Sequence, residues 1–103
     1  DLAIRVPTVD GSLVDLAVIL EKDATVEAIN AAMKKASETK GFDRALQYME
    51  DPIVSVDIIG NPHGSIFDSK LTAVHGKMAK VFSWSDNEWG FSNRMVDMMK
   101  IML

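Results

Sequence analysis

The densest set of residues that could bind a ligand lies at residues 84–94, which read WSDNEWGFSNR. Three aromatic side chains stand there beside hydroxyl, carboxyl, amide and guanidinium groups. The pattern before the segment predicts a strand and the pattern after it predicts a helix, and junctions between rigid elements often carry binding groups. A helix cap followed by core aromatic residues explains the same pattern, so the residues alone leave both interpretations open.

A second candidate is Arg5, which interrupts the apolar run LAIRV at residues 2–6. The planar guanidinium group suits a phosphate or a carboxylate, because it can donate two parallel hydrogen bonds. The alternative is that the side chain extends its charged end into water while its stem covers apolar surface. The position alone does not decide between an anion site and this surface role.

Other kinds of active site find little support in the sequence. His63 and His75 lie apart and there is no cysteine, whereas zinc takes three or four ligands, so we predict a structural or exposed role for each histidine. The carboxylates are scattered, and exposure is the default expectation for Asp15, Asp57, Asp68, Asp86 and Glu88. A glycine-rich phosphate loop and a serine nucleophile motif are both missing. We therefore predict no catalytic residue and no metal ligand.

Length and charge limit the function classes further. The 103 residues suffice for one domain, and the net charge of −4 argues against a general nucleic-acid binder. No apolar run reaches the ~18 residues that a membrane span needs, so no membrane partner is expected. Hydrophobic residues make up 48% of the chain, and four of the seven methionines fall in the last nine residues. A C-terminal helix with this many methionines would have more apolar surface than one sheet can cover.

The elements that must position the candidate residues follow from periodicity. Alternation predicts strands, and the spacing after Thr25, a predicted N-cap, indicates a helix that ends by Gly41. Residues 42–50 fit a short helix or a strand equally well. The predicted strands are residues 1–7, 12–21, 53–59, 65–74 and 78–85, and the last helix is 91–103. The predicted fold is α+β, with one long helix packed on a mixed, mostly antiparallel sheet and a second helix at the C-terminus.

Two motifs in this order are similar to a known family. DNEWGFSNR at residues 86–94 and IRVPT at residues 4–8 resemble the phosphorylating glyceraldehyde-3-phosphate dehydrogenase family. Further resemblances lie at residues 14–16, 20–22, 31–38, 54–57 and 65–68, so the similarity covers nearly the whole chain. It implies that residues 1–103 are the C-terminal part of the catalytic domain, without the N-terminal NAD-binding domain.

The resemblance implies roles for particular residues. Arg5 matches the arginine that contacts the substrate phosphate, and Asn87 matches the asparagine that hydrogen-bonds the nicotinamide carboxamide. Ser85, Glu88 and Phe91 would line the site, although the family usually has tyrosine in place of Ser85 and often in place of Phe91. The family's cysteine nucleophile and its histidine base would lie upstream of this chain, so we predict that the chain alone is inactive.

The resemblance also implies partners. We expect NAD as the cofactor of the intact enzyme, held weakly by this part alone, with a sugar phosphate and inorganic phosphate as substrates. A cytoplasmic homo-oligomer is expected. The alternatives are part of an erythrose-4-phosphate dehydrogenase and a stand-alone oligomerisation or interaction module. The use of NADP stays open, because the ribose-contacting residues would lie upstream.

Overall fold

A computed structural model describes residues 2–103 of the chain. It contains five strands: β1 (Ser12–Ile19), β2 (Leu46–Met49), β3 (Ser65–Asp68), β4 (Ala73–His75) and β5 (Met78–Ser85). Its two α-helices are α1 (Val26–Ser37) and α2 (Trp89–Met102), and Ser55–Ile58 form a 3-10 helix. The predicted α+β class is confirmed.

The sheet is mixed and mostly antiparallel, as predicted. Its order is β1-β5-β3-β2, and β4 also pairs with β5. β5 is antiparallel to β1, β3 and β4, whereas β2 and β3 are parallel. The long strand β5 therefore organises the sheet, and its last residue, Ser85, pairs with Ser12 at the start of β1.

Helix α1 begins and ends as its sequence predicts. The Thr25 hydroxyl accepts a hydrogen bond from the N–H of Ala28 at 3.1 Å, which confirms the predicted N-cap. The helix lies against β2, where Lys34 Nζ stands 5.5 Å from the centre of the Tyr48 ring. Helix α1 makes a second contact through Asn30, whose amide nitrogen donates a hydrogen bond to the carbonyl of Ser69.

The core is small and lies around the paired strands β3 and β5. Its buried apolar residues are Ile58, Ile66, Phe67 and Ala79. Buried polar groups accompany them, and Asp68 shows how they are satisfied: its carboxylate accepts hydrogen bonds from Trp84 Nε1 at 3.0 Å and from the N–H of Lys70 at 3.1 Å. The expectation that Asp68 would be exposed is therefore wrong, because two donors compensate its loss of hydration.

Two predicted strands do not form. Residues 2–11 contain no helix or strand, and Leu2, Ile4 and Val6 are exposed; Asp1, the first residue of that prediction, lies outside the described residues. A strand needs a neighbour for its backbone N–H and C=O groups, and this segment has none among residues 2–103. In the second case, residues 53–59, the Asp57 carboxylate accepts from the N–H of Val54 at 2.8 Å and stabilises a 3-10 turn instead.

Smaller differences concern boundaries. The predicted strand 65–74 divides into β3 and β4, separated by a turn at residues 69–70. The ambiguous segment 42–50 ends as strand β2. Helix α2 begins at Trp89, two residues earlier than predicted.

Apolar side chains remain exposed on β1 and α2. Strand β1 is accessible on both faces, with Leu13, Val14, Leu16 and Ile19 all exposed. On α2 the methionines at 95, 98, 99 and 102 are each more than half exposed. No helix within residues 2–103 is both long and apolar enough to cross a membrane.

Candidate functional site

The candidate site lies at the junction between β5 and α2. Strand β5 ends at Ser85 and α2 begins at Trp89, so Asp86, Asn87 and Glu88 form the connection. Asp86 is only 2% exposed, while Asn87 and Glu88 are exposed. The junction thus places one buried carboxylate directly before an exposed amide.

Asp86 joins three parts of the chain. One carboxylate oxygen, Oδ1, accepts from the N–H groups of Glu88 at 3.0 Å and Trp89 at 2.8 Å. The other, Oδ2, accepts from the N–H of Gly60 at 2.8 Å. The carboxylate therefore caps the first turn of α2 and ties it to the loop before β3. The expectation that Asp86 would be exposed is wrong for the same reason as at Asp68.

These hydrogen bonds set the protonation of Asp86. Burial by itself would raise its pKa, but the backbone N–H groups of Gly60, Trp89 and Glu88 outweigh this and lower the pKa to about 2. Nearby Asp10 responds in the opposite direction, because its burial and the adjacent Asp86 carboxylate raise the pKa of Asp10. Asp86 is consequently the member of the pair that ionises at the lower pH.

The stability of the junction should depend on pH through Asp86. A carboxylate with a folded pKa of about 2 and an unfolded pKa of about 3.9 stabilises the fold above pH ~4, and this contribution is lost as the pH falls towards 2. Asp10, with its raised pKa, contributes in the opposite sense, and Glu88 adds negative charge beside it. We expect Asp86→Asn to lower the free energy of unfolding at pH 6 and to have a smaller effect at pH 2.5.

Urea unfolding of the 103-residue chain measures this difference. Trp84 and Trp89 flank the junction, so tryptophan fluorescence reports on its loss. Asp57→Asn is a suitable control, because Asp57 also accepts a backbone N–H bond but is exposed and caps the separate 3-10 helix. An equal cost of Asp86→Asn at both pH values would contradict the assigned ionisation.

Asn87 is held from the other side by the start of β1. Its Oδ1 atom accepts from the N–H of Gly11 at 2.8 Å. Gly11 has φ of 103°, and a Cβ there would lie 3.1 Å from Ile58 Cδ1, so glycine fits both the backbone and the space. Beside this contact, the Ser12 and Ser85 hydroxyls are 2.8 Å apart and hydrogen-bonded. The amide of Asn87 is thereby oriented with its oxygen towards β1.

Helix α2 approaches the loop before β3 very closely. At Gly90 a Cβ atom would lie 2.8 Å from the carbonyl oxygen of His63. One turn later, Arg94 donates to the carbonyls of Arg44 and Pro62 and pairs with Asp97 at 2.8 Å. Gly90 and Arg94 thus fix the height and direction of the helix above the sheet end.

Together these contacts form a depression of about 280 Å³, lined by Gly64, Ser85, Asp86, Asn87, Phe91 and Arg94. Three of the predicted site residues, Ser85, Asn87 and Phe91, therefore meet in one place. Glu88 lies beside the depression without lining it, and Arg5 lies elsewhere, exposed in the irregular segment 2–11. The structure of residues 2–103 does not bring Arg5 and Asn87 into one pocket.

Sequence reasoning missed Asp86, Gly90 and Arg94. A usable signal existed for Asp86, since an aspartate shortly before a helical pattern is a typical capping residue. Of the two histidines, His63 has its Nδ1 atom 2.9 Å from Asn61 Oδ1, and His75 is exposed on β4. Within residues 2–103, no group of three or more His, Asp or Glu side chains could hold a metal ion.

Comparison with known proteins decides which family this junction belongs to. A family model described as "Glyceraldehyde 3-phosphate dehydrogenase, C-terminal domain" matches residues 1–87. The chain belongs to the glyceraldehyde-3-phosphate dehydrogenase family. The resemblance to this family is thereby confirmed, and the matched range includes residues 4–8 and the first two residues of the motif at 86–94.

Individual dehydrogenases give the same result. The glyceraldehyde-3-phosphate dehydrogenase of Mycobacterium avium is 53% identical over 100 residues, covering 97% of this chain and 29% of the relative. That of Zymomonas mobilis is 50% identical over 97 residues, covering 93% and 29%. That of the plant Atriplex nummularia is 50% identical over 102 residues, covering 98% and 28%. The chain therefore spans less than a third of the glyceraldehyde-3-phosphate dehydrogenases that it matches.

Proposed function

We propose that this chain acts as the C-terminal part of the catalytic domain of an NAD-dependent, phosphorylating glyceraldehyde-3-phosphate dehydrogenase. The observation that carries the proposal is Asn87, held at a glycine turn beside a ring-sized depression in a chain of this family. In this proposal Asn87 contacts the nicotinamide carboxamide and Arg5 contacts the substrate phosphate. Ser85, Glu88 and Phe91 surround the nicotinamide contact.

The depression fits one end of such a cofactor. Its volume of about 280 Å³ is just below the ~300–1,000 Å³ of typical ligand pockets, so it suits a single ring and not a whole dinucleotide. Phe91 offers an apolar wall, and the Asn87 amide nitrogen, which has no hydrogen-bond partner among residues 2–103, can donate to a carbonyl. When bound, NAD supplies the hydride acceptor of the reaction. The rest of the cofactor would be held outside this chain.

The chemical step also needs groups from outside this chain. The sequence has no cysteine, so the thiolate that attacks the aldehyde in this reaction cannot come from residues 1–103. The hydride lost from the aldehyde carbon would go to NAD, and inorganic phosphate would then attack the resulting acyl carbon and displace the thiolate. The chain's own part is to bind and orient: Arg5 holds the charged end of the sugar phosphate and Asn87 holds the carboxamide.

The exposed apolar surfaces support membership of a larger assembly. The four methionines of α2 and the outer residues of β1 leave apolar area that the chain itself does not cover. In the proposal, α2 packs against the NAD-binding domain and the sheet contributes to a homo-oligomer. The assembly acts in the cytoplasm, where the family's glycolytic reaction takes place.

A chimeric enzyme tests the proposal. In it, this chain replaces the matching segment of the Mycobacterium avium dehydrogenase, to which it is 53% identical. We expect the chimera to reduce NAD with glyceraldehyde 3-phosphate and inorganic phosphate, and the isolated chain to show no turnover. A folded chimera without activity, or turnover by the purified 103-residue chain, would contradict the proposal.

The second candidate is an erythrose-4-phosphate dehydrogenase. Ser85 and Phe91 at the depression carry no phenol group, so the lining is less polar than with the two tyrosines that the resemblance leads one to expect. The same chimera decides between the two substrates through the ratio of kcat/KM for the two aldehydes. A higher value for erythrose 4-phosphate would favour this second candidate.

The third candidate is a stand-alone interaction module. Only the apolar exposure of β1 and α2 favours it. Sedimentation of the isolated chain, combined with an inactive chimera, would support this candidate if the chain forms a defined oligomer.

A further inference from the structure

Asp86 and Asn87 are neighbours in sequence, but one side chain is buried and the other is exposed. The Asp86 carboxylate is buried and holds the backbone on both sides of the junction, at Gly60 and at the first turn of α2. The Asn87 side chain is exposed and bonded to Gly11. The backbone of Asn87 is therefore held by Asp86, and its amide is oriented by the start of β1.

The Asp86 carboxylate therefore makes two tethers, one to Gly60 and one to the first turn of α2. The tether to Gly60 matters more for the position of Asn87. Gly60 lies 26 residues before Asp86, in the loop that leads to β3, so its N–H fixes the junction relative to the sheet. The N–H groups of Glu88 and Trp89, in contrast, fix the junction only relative to α2. Without the Gly60 tether the helix could stay capped while Asn87 changed its position relative to the sheet.

We propose that Asp86 is a positioning residue for the cofactor contact of Asn87, acting through its hydrogen bond to Gly60. The proposal rests on the proposed function of Asn87. Asp86 lines the depression but is only 2% exposed, and both of its carboxylate oxygens accept from backbone N–H groups, so we assign it no direct hydrogen bond to the cofactor. Its effect on the reaction passes through the position of the neighbouring amide.

Asp86→Asn in the chimeric enzyme is expected to keep the tether to α2 and to remove the tether to Gly60. An asparagine keeps one oxygen, which can cap α2, but places an NH2 group where Oδ2 accepted from Gly60. Two donors then face each other and the tether is lost. A misplacement of about 1 Å in an active site can lower the reaction rate ~100-fold. We therefore expect a displaced Asn87 amide to bind the carboxamide less well, so that KM for NAD rises about tenfold or more. KM for glyceraldehyde 3-phosphate should stay within about twofold, because Arg5 lies on another segment.

Asp68→Asn is the matched control. Asp68 is also 2% exposed and accepts two N–H bonds, from Trp84 Nε1 and Lys70, where Asp86 accepts three, but Asp68 holds neither Asn87 nor α2. We expect this variant to lower the unfolding midpoint and to leave KM for NAD within about twofold. If it raises KM for NAD as much as Asp86→Asn does, the effect is a general loss of structure and the inference is wrong.

Two further variants keep the outcomes distinct. Asp86→Ser retains a capping hydroxyl and lacks the second oxygen, so it replaces Asp86→Asn if that variant does not fold. Asn87→Ala tests the proposed cofactor contact itself. If Asn87→Ala raises KM for NAD while both Asp86 variants leave it unchanged, the positioning role is refuted and the cofactor contact stands. If Asn87→Ala has no effect, the cofactor contact fails, and the role of Asp86 fails with it.

Discussion

Replacing Arg5 by alanine in the chimeric enzyme is expected to lower kcat/KM for glyceraldehyde 3-phosphate by about 10- to 100-fold. Hydrogen bonds to a charged group contribute ~1.5–3 kcal/mol, which corresponds to this range. Unphosphorylated glyceraldehyde lacks the group that Arg5 would contact, so its much lower kcat/KM should hardly change. The ratio between the two aldehydes is therefore the quantity to measure.

Two companion variants define what the result means. Arg5→Lys keeps the charge and loses the planar fork, so we expect an intermediate loss for the phosphorylated aldehyde. Arg44→Ala removes another exposed arginine, whose partner is Asp97 on α2, and should leave the ratio unchanged. Equal losses of kcat/KM for both aldehydes in Arg5→Ala would show that Arg5 has a structural role only.

Arg5 also illustrates where the sequence was insufficient. The apolar run at residues 2–6 is typical of a strand, yet the segment is irregular because no strand among residues 2–103 pairs with it. A strand pattern shows that a segment can enter a sheet but does not show that a neighbour is present. At residues 53–59 the apolar, β-branched pattern was overridden by one local hydrogen bond, from the N–H of Val54 to Asp57.

The elements that were predicted correctly share a local cause. Helix α1 has an N-cap at Thr25 and an acidic residue, Glu27, in its first turn, and both effects act within one turn of the helix. Strand β5 also forms over the predicted residues, and it follows a tight turn at Gly76, whose φ of 59° suits a hairpin. Signals of this kind depend on near neighbours only, so they can be read from one sequence.

The candidate site also has one part that could be predicted from the sequence and one part that could not. The segment at residues 84–94 contains Ser85, Asn87 and Phe91, and the depression brings these three together. The buried state of Asp86 depends on Gly60, which no local pattern connects to it. A carboxylate is expected to be exposed unless donors surround it, and distant donors become visible only in the fold.

The apolar excess of the composition is explained by position. The methionines of α2 are exposed within this chain, and the helix is held by polar contacts at one end, through Asp86 and Arg94. Burial against a further domain would add stabilisation at ~25 cal/mol per Å² of apolar area. This separates the two functions of α2: its N-terminal end builds the site, and its exposed methionines are available for packing.

Replacing Gly90 by alanine is expected to destabilise the 103-residue chain by about 1–3 kcal/mol, the usual cost of overpacking a well-packed position. The added Cβ would lie 2.8 Å from the carbonyl oxygen of His63, which is backbone and cannot turn aside as a side chain can. Helix α2 or the loop before β3 must then shift, and the depression at Asn87 shifts with them. Urea unfolding followed by tryptophan fluorescence measures the change.

The sign of this effect makes the test decisive. Within a helix, glycine to alanine ordinarily stabilises by ~0.5–1 kcal/mol, because alanine loses less backbone entropy on folding. Ser92→Ala, two residues further along α2 at an exposed position, has no such clash and should change stability by less than about 0.5 kcal/mol. A stabilising Gly90→Ala would mean that α2 does not approach His63 closely. Destabilisation, together with a raised KM for NAD in the chimera, would show that this one close approach fixes both the helix and the cofactor contact.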